Sequence, residues 1–104
     1  MKILVVDDMI TMRQVMIHML RDLGYYDNDE AVDGQQAFDM LRWKSYDLVI
    51  TDYHMPNLDG MQLLEKIRTD DKLANIPVLM VTCEDGRDQI KSIIAAKVTG
   101  FIVK

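Results

Sequence analysis

Acidic and polar side chains follow several short apolar runs of the chain, where they could bind a cation and a phosphoryl group. They are Asp7, Asp8, Asp52, Thr82 and Lys104. Carboxylate oxygens are preferred ligands of Mg²⁺, and a carboxylate can also attack phosphorus to give an acyl phosphate. Asp52 is the natural candidate for that nucleophile. The Thr82 hydroxyl and the Lys104 ammonium would then hold the phosphoryl oxygens, because phosphoryl transfer depends mostly on electrostatic positioning.

Five runs of the sequence are expected to form the strands that carry these residues. They cover residues 3–6, 48–51, 78–82 and 101–103, with a weaker edge strand at residues 30–32. The four stronger runs do not alternate with polar residues, which is typical of parallel strands covered on both faces.

Helical patterns lie between the predicted strands. The first begins at Ile10, ends with Gly24 as a C-terminal cap, and has an apolar face formed by Met12, Val15, Met16, Met19, Leu20 and Leu23. Most of the methionines are expected to fill the core. Three further helices are predicted at residues 34–43, 60–69 and 87–96. The order βαβαβαβαβ predicts an α/β fold with a parallel sheet, in which sites gather at the carboxyl ends of the strands.

Composition limits the classes of function. With 104 residues the chain is expected to form one domain. A net charge of −5 without a basic stripe argues against nucleic-acid binding. The chain has a single cysteine, Cys83, and neither a leader-like segment nor a long apolar run, so we expect a cytoplasmic protein with no membrane contact.

The charge of the predicted site favours a divalent cation. The carboxylates of Asp7, Asp8 and Asp52 together with Lys104 leave a formal charge of −2, and crowded like charges favour a counterion. An all-oxygen set with room for a phosphate suits Mg²⁺. Zinc is not expected, because His18, His54 and Cys83 do not have zinc-ligand spacing.

Each residue also has a simpler interpretation when it is taken alone. Asp8 could be the N-cap of the helix that begins at Ile10. Thr82 could reflect strand propensity, and a terminal lysine such as Lys104 is commonly solvated. The set as a whole carries the prediction.

The motifs of the chain resemble a known family. The stretches VVDD, TDYHMPNLDG, VLMVT and GFIVK, with the D-x-x-T-M-R pattern of residues 8–13, are similar to the receiver domain of two-component response regulators, and most similar to CheY-like chemotaxis regulators. The resemblance runs along the whole chain. It implies a flavodoxin-like, doubly wound, five-stranded parallel sheet with strand order 2-1-3-4-5.

The resemblance implies a phosphoacceptor regulatory domain rather than an enzyme with a turnover substrate. A sensor histidine kinase would pass its phosphoryl group to Asp52. Mg²⁺ would be held by Asp8, Asp52 and the backbone carbonyl of His54, with Asp7 contributing mainly through water. The implied output is altered partner binding in chemotaxis, with a flagellar motor switch protein and a phosphatase as further partners.

The resemblance also assigns a switch and residues that tune the lifetime of the phosphoryl group. Thr82 and Phe101 match the switch pair, and His54 and Glu84 match positions that flank the approach of water. Chemotaxis members commonly have tyrosine where this chain has Phe101, and many have asparagine where it has His54. Lys97 stands where relatives often have glycine. Because Phe101 lacks the hydroxyl of that tyrosine, its inward position would depend on packing alone.

Other interpretations stay open at this point. An FMN-binding flavodoxin shares the topology, but the acidic stretch DDMITM after the first strand would repel a phosphate. An aspartyl-phosphate hydrolase typically has a second acid where His54 lies. A receiver-like module that no longer takes a phosphoryl group, and a receiver of a regulator outside chemotaxis or from a larger protein, remain alternatives.

The end of the chain also departs from the family pattern. Receivers normally continue after the lysine into a fifth helix, so residues 1–104 are expected to form a C-terminally incomplete receiver that lacks this helix. Apolar surface that the fifth helix would otherwise cover would make this form prone to self-associate.

Overall fold

The fold was analysed in a computed structural model of the chain. The structure describes residues 1–82, 94 and 97–103, and of residues 101–103 only the backbone. The predicted helix at residues 87–96 therefore lies outside the described residues, apart from Ile94, as do Cys83, Glu84 and Lys104.

Strands and helices alternate along residues 2–82 of the chain. The strands are β1 (Lys2–Val6), β2 (Asp27–Ala31), β3 (Leu48–Asp52), β4 (Val78–Thr82) and β5 (Gly100–Val103), and the helices are α1 (Ile10–Asp22), α2 (Gly34–Trp43) and α3 (Gly60–Thr69). The strands are parallel and form one sheet in the order β2-β1-β3-β4-β5. The predicted fold and strand order are confirmed.

The sheet separates two apolar layers. One contains Leu4, Val6 and Val49 of the strands, packed with residues of α2 and α3 such as Leu41 and Leu64. The other contains Ile3, Val5, Ile50 and Val81, packed with Met16, Ile17 and Leu20 of α1. Successive strand side chains point to opposite faces, so strands buried on both faces need apolar residues at nearly every position. This is why the strand sequences are continuous apolar runs.

Helix α1 ends as predicted, in a Schellman motif. Gly24 has φ of 94°, and its N–H donates to the carbonyl of Arg21 at 2.9 Å. The N–H of Tyr25 donates to the carbonyl of Leu20 at 2.8 Å. These two bonds satisfy carbonyls that the helix leaves open, and glycine takes the positive φ without steric cost.

The apolar face of α1 is only partly buried, so the prediction for its methionines is wrong in part. Met16 and Leu20 pack against the sheet, but Val15, Met19 and Leu23 are 51%, 58% and 72% exposed. The apolar stripe is wider than the strip of helix that contacts the sheet, and α1 is the helix on this face among those that the structure describes. This exposed surface is a reason to keep the expectation of self-association, which stays a prediction.

Strand β2 begins earlier than predicted, at Asp27 instead of residue 30, and Val32 lies outside it. It is an edge strand, as expected. Its residues DNDE have poor strand propensity. They are extended because they pair in register with β1, from Lys2 with Asp27 to Val6 with Ala31.

A charged cluster lies at the end of the sheet opposite the carboxyl ends of the strands. Asp29 accepts a hydrogen bond from the Tyr46 hydroxyl and lies 3.7 Å from Lys2 Nζ and 3.5 Å from Lys44 Nζ. The Tyr46 bond and the two cations lower the pKa of Asp29 below its ordinary value of 3.8, although partial burial opposes them. Burial, and then the same carboxylate, raise the pKa of Tyr46 above its ordinary value.

Tyr46→Phe is expected to lower the free energy of unfolding by about 1 kcal/mol near neutral pH, because one hydrogen bond to a charged group is lost. A carboxyl with a depressed folded pKa stabilises the fold above its unfolded pKa and loses that contribution as pH falls through the folded pKa. The difference between the two proteins should therefore shrink below about pH 4. Urea unfolding across pH measures it. Tyr26→Phe is the control, because Tyr26 is 72% exposed. A difference that did not depend on pH would contradict the assignment.

No helix within the described residues is both long and apolar enough to cross a membrane.

Candidate functional site

Three aspartates meet at the carboxyl ends of β1 and β3. The two strands pair in parallel, with Val6 opposite Thr51, so the residues that follow lie side by side. Asp7 is fully buried, Asp52 is 6% exposed, and Asp8 is exposed. One carboxylate oxygen from each of the three lies within 4.8 Å of the others. The tertiary structure thus brings together the acids that the strand-end argument selected.

The turn after β1 is held by one hydrogen bond to β2 and by one within the turn. The N–H of Asp7 donates to the Ala31 carbonyl of β2 at 3.1 Å, and the Asp7 carboxylate accepts the Met9 N–H at 2.9 Å. Met9 is the N-cap of α1. The alternative in which Asp8 caps this helix is therefore wrong, and the Asp8 carboxylate is left facing the site.

Asp52 is the last residue of β3, and its backbone packs against Gly60, the first residue of α3. The N–H of Tyr53 donates to the Val81 carbonyl at 2.9 Å, and the N–H of Gly60 donates to the Tyr53 carbonyl at 2.9 Å. A Cβ at Gly60 would clash with the Asp52 carbonyl oxygen and would lie 2.8 Å from Met80 Sδ. Gly60 thus allows α3 to approach the backbone of Asp52.

The loop between β3 and α3 is braced against α2. Asn57 has φ of 65°, and its amide donates to the Asp33 carboxylate at 2.8 Å. The N–H of Gly34 donates to the Leu58 carbonyl at 3.0 Å, and a Cβ at Gly34 would clash with that carbonyl. Sequence reasoning did not identify these bracing residues. An asparagine followed three residues later by glycine, at a helix start, was the available signal.

Helix α3 begins with a capping box. Asp59 accepts the N–H of Gln62 at 2.8 Å, and the Gln62 side chain accepts the N–H of Asp59 at 3.0 Å. This reciprocal pair satisfies donors that the helix start leaves open. It fixes where α3 begins, and therefore where Gly60 contacts the site.

The remaining predicted residues differ in how much the structure describes. Thr82 is 1% exposed and ends β4, the strand beside β3. His54 is exposed, with its ring centroid 4.8 Å from that of Tyr53. Phe101 lies in β5 opposite Met80, and its side chain is outside the described part. Glu84 and Lys104 lie outside the described residues as well.

The acidic cluster suits an oxygen-binding cation. Two oxygens on opposite sides of one Mg²⁺ lie about 4.2 Å apart, at a bond length of about 2.1 Å. The observed limit of 4.8 Å is of that scale, so small side-chain rotations would close the set. The exposed Asp8 carboxylate leaves one side open to water. The cluster of Asp7, Asp8 and Asp52 could therefore hold a metal ion.

These features define a doubly wound α/β domain with an acidic cluster at the carboxyl ends of β1 and β3, where the strand order reverses. The family model of the response regulator receiver domain matches residues 3–104. The chain therefore belongs to the response regulator receiver family, a class of signalling domains in two-component systems.

Curated relatives agree with this assignment. Chemotaxis protein CheY-3 of Vibrio cholerae is 48% identical over 104 residues, which cover 100% of this chain and 80% of that protein. Chemotaxis protein CheY of Pseudomonas aeruginosa is 47% identical over 104 residues, covering 100% of this chain and 84% of that protein. The chain is thus similar over its whole length to CheY-type chemotaxis regulators.

Solved structures show the same fold. Chemotaxis protein CheY4 of Vibrio cholerae matches with a TM-score of 0.90 and 33% identity, covering 99% of this chain and 85% of that chain. A putative response regulator from Chloroflexus aurantiacus matches with a TM-score of 0.93 and 25% identity, covering 99% of this chain and 84% of that chain.

Proposed function

We propose that the protein is the phosphoacceptor switch of a two-component system, which takes a phosphoryl group from a sensor histidine kinase onto Asp52. The observation that carries the proposal is the nearly buried Asp52 carboxylate, with an oxygen within 4.8 Å of oxygens of Asp7 and Asp8. A carboxylate so placed has little freedom and a fixed direction of attack.

The chemical step needs one nucleophile and one leaving group. An oxygen of Asp52 forms a bond to phosphorus while the bond between phosphorus and the imidazole nitrogen of phosphohistidine breaks, and the nitrogen keeps the electron pair. The product is an acyl phosphate. The domain promotes its own modification and the later hydrolysis, so it acts as a phosphoacceptor and not as an enzyme with a turnover substrate.

The acidic cluster supports Mg²⁺ as the cofactor. Asp8, Asp52 and the backbone carbonyl of His54 would hold the ion, with Asp7 acting mainly through water. Bound Mg²⁺ would supply positive charge against the carboxylates and the incoming phosphoryl oxygens. Asp7 is buried and accepts the Met9 N–H, so it is better suited to orient a water than to move toward an ion.

The residues around Asp52 would read and limit the phosphorylated state. The Thr82 hydroxyl and the Lys104 ammonium would bind phosphoryl oxygens, and movement of Thr82 would favour an inward Phe101. The exposed His54 lies two residues after Asp52, and we propose that it sets the rate of hydrolysis together with Glu84.

The setting of the switch follows from the relatives. We propose a cytoplasmic role in chemotaxis, because the similar proteins from Vibrio cholerae and Pseudomonas aeruginosa are named chemotaxis proteins. The proposed partners are a sensor histidine kinase, a flagellar motor switch protein and a phosphatase. The phosphorylated state would change which of these partners the domain binds.

Incubation with acetyl phosphate tests the proposal. With Mg²⁺ present, intact mass spectrometry is expected to show the addition of one phosphoryl group. Chelation of the metal with EDTA should slow this addition by about a hundredfold, because phosphoryl transfer relies on metal charge.

Two contrary outcomes of this experiment have different meanings. A protein that stays unmodified with Mg²⁺ would indicate a receiver-like binding module without phosphoacceptor chemistry. Equal rates in Mg²⁺ and in EDTA would contradict the role of the metal while leaving Asp52 as the acceptor.

A further inference from the structure

We infer that Arg13 is a positioning residue for the acidic pair, with Glu30 as the group that orients it. The inference rests on the proposed function, since it concerns how Asp7 and Asp8 are held for Mg²⁺. Arg13 lies on α1, and its described side-chain hydrogen bonds go to Asp7 and Glu30.

The guanidinium of Arg13 joins three elements on the α1 face of the sheet. Its Nη1 donates to the backbone carbonyl of Asp7 at 2.7 Å, in a buried contact. Its Nε donates to Glu30 of β2 at 2.9 Å. The Arg13 side chain is 10% exposed, and that of Glu30 is 44% exposed. Arg13 therefore ties α1 to the end of β1 and to the edge strand.

The contact with Asp7 falls at a critical point of the backbone. The carbonyl of Asp7 belongs to the peptide that links Asp7 to Asp8, so holding it fixes the orientation of the plane between the two acids. The N–H of Asp7 is held by Ala31 and its carboxylate by Met9. Arg13 adds a restraint at the carbonyl, and through it on the direction in which the exposed Asp8 leaves the chain.

The geometry requires arginine and not simply a positive charge. A guanidinium presents several N–H donors in one rigid plane, so one side chain can bond a carbonyl and a carboxylate in fixed directions. A lysine ammonium keeps the charge but lacks this planar arrangement. Glu30 supplies a negative charge that offsets Arg13, which limits the repulsion that Arg13 would otherwise exert on a cation.

A matched arginine exists at the opposite edge of the sheet. Arg68, in the last turn of α3, donates to the backbone carbonyls of Lys97 at 2.9 Å, Ala74 at 3.2 Å and Ile76 at 2.6 Å. It is also a partly buried guanidinium that holds backbone carbonyls, but it lies far from the strand ends that carry the acids. Arg68→Lys therefore controls for a loss of stability without a change at the site.

The experiment compares Arg13→Lys, Arg68→Lys and the unmodified protein. Mg²⁺ is titrated into each protein while ¹H–¹⁵N NMR spectra report both binding and folding. We expect the Kd for Mg²⁺ to rise about tenfold in R13K, the size typical of lost outer-shell support. In R68K it should stay within about twofold of the unmodified protein, because additivity holds for distant sites.

A second variant keeps the test usable if R13K does not fold. Glu30→Gln preserves an acceptor for Nε but removes the charge that orients the guanidinium. We expect its Kd for Mg²⁺ to rise about threefold, because the pair is partly exposed. An unchanged Kd for Mg²⁺ in folded R13K would overturn the inference. If R13K is unfolded, an unchanged Kd in E30Q would overturn it.

Two further outcomes are distinguishable. Equal weakening in R13K and R68K would overturn the inference, because it would show a general effect of stability. An unmodified protein that binds no Mg²⁺ would overturn the proposed metal role itself and, with it, this inference. If the unmodified protein and R13K bind Mg²⁺ with the same Kd, the inference about Arg13 fails and the proposed function stands.

Discussion

Asp52→Asn is expected to abolish the addition of a phosphoryl group from acetyl phosphate, even with Mg²⁺ present. The amide oxygen is a far weaker nucleophile than a carboxylate oxygen, and the neighbouring Asp8 is not placed at the end of β3 beside Thr82. Intact mass spectrometry over a time course measures the result. We expect the rate to fall by at least about a thousandfold, the scale seen when a nucleophile is removed.

The same variant should lose most of its stabilisation by Mg²⁺. A ligand at ten times its Kd stabilises a folded protein by about 1.4 kcal/mol. With one of the three clustered carboxylates neutralised, the ion loses a ligand and a charge. Urea unfolding with Mg²⁺ and with EDTA measures the difference for each protein.

Asp39→Asn is the matched control for Asp52→Asn. Asp39 is exposed on α2, where it accepts a hydrogen bond from Gln35 at 3.1 Å. The Asp39→Asn variant should be phosphorylated at the rate of the unmodified protein and keep its response to Mg²⁺. Full phosphorylation of the Asp52→Asn variant would show that another residue is the acceptor.

Gly60→Ala is expected to lower the free energy of unfolding by about 3 kcal/mol, the upper range for overpacking at a rigid site. The added methyl group would clash with the Asp52 carbonyl oxygen and would lie 3.0 Å from Tyr53 Cα, and both are backbone atoms that cannot rotate away. Helix α3 or the end of β3 must move. The Kd for Mg²⁺ should rise as well, because Asp52 moves with its backbone.

Gly24→Ala separates steric clash from backbone strain. Gly24 has φ of 94°, but nothing lies within 4 Å of its added Cβ. It should cost about 1 kcal/mol, the penalty of a positive φ, and leave the affinity for Mg²⁺ unchanged. Equal effects of the two substitutions on the Kd for Mg²⁺ would contradict the close-approach role of Gly60.

Elements with strong local patterns were predicted closely. Helices α2 and α3 and strand β4 have the predicted bounds. Each has a periodic or continuous apolar pattern bounded by residues that start or stop it, such as the glycines at 34 and 60. Strand β2 was predicted less well, because its polar residues are extended only through pairing with β1.

The exposed side of α1 shows a second limit of prediction from sequence. Its stripe indicates an amphipathic helix, and the periodicity is correct. How much of that stripe is buried depends on which elements share its face of the sheet. The exposure of Met19 at 58% could therefore not be inferred from the helix alone.

The sequence by itself determined the alternation of strands and helices, and with it the meeting of Asp7, Asp8 and Asp52 at one edge. It could do so because parallel strands place their carboxyl ends together in any fold of this kind. Only the tertiary structure decided how those acids are held: Gly60 against the Asp52 backbone, and Arg13 between Asp7 and Glu30. These contacts join residues distant in sequence, and a local pattern carries no information about a distance across space.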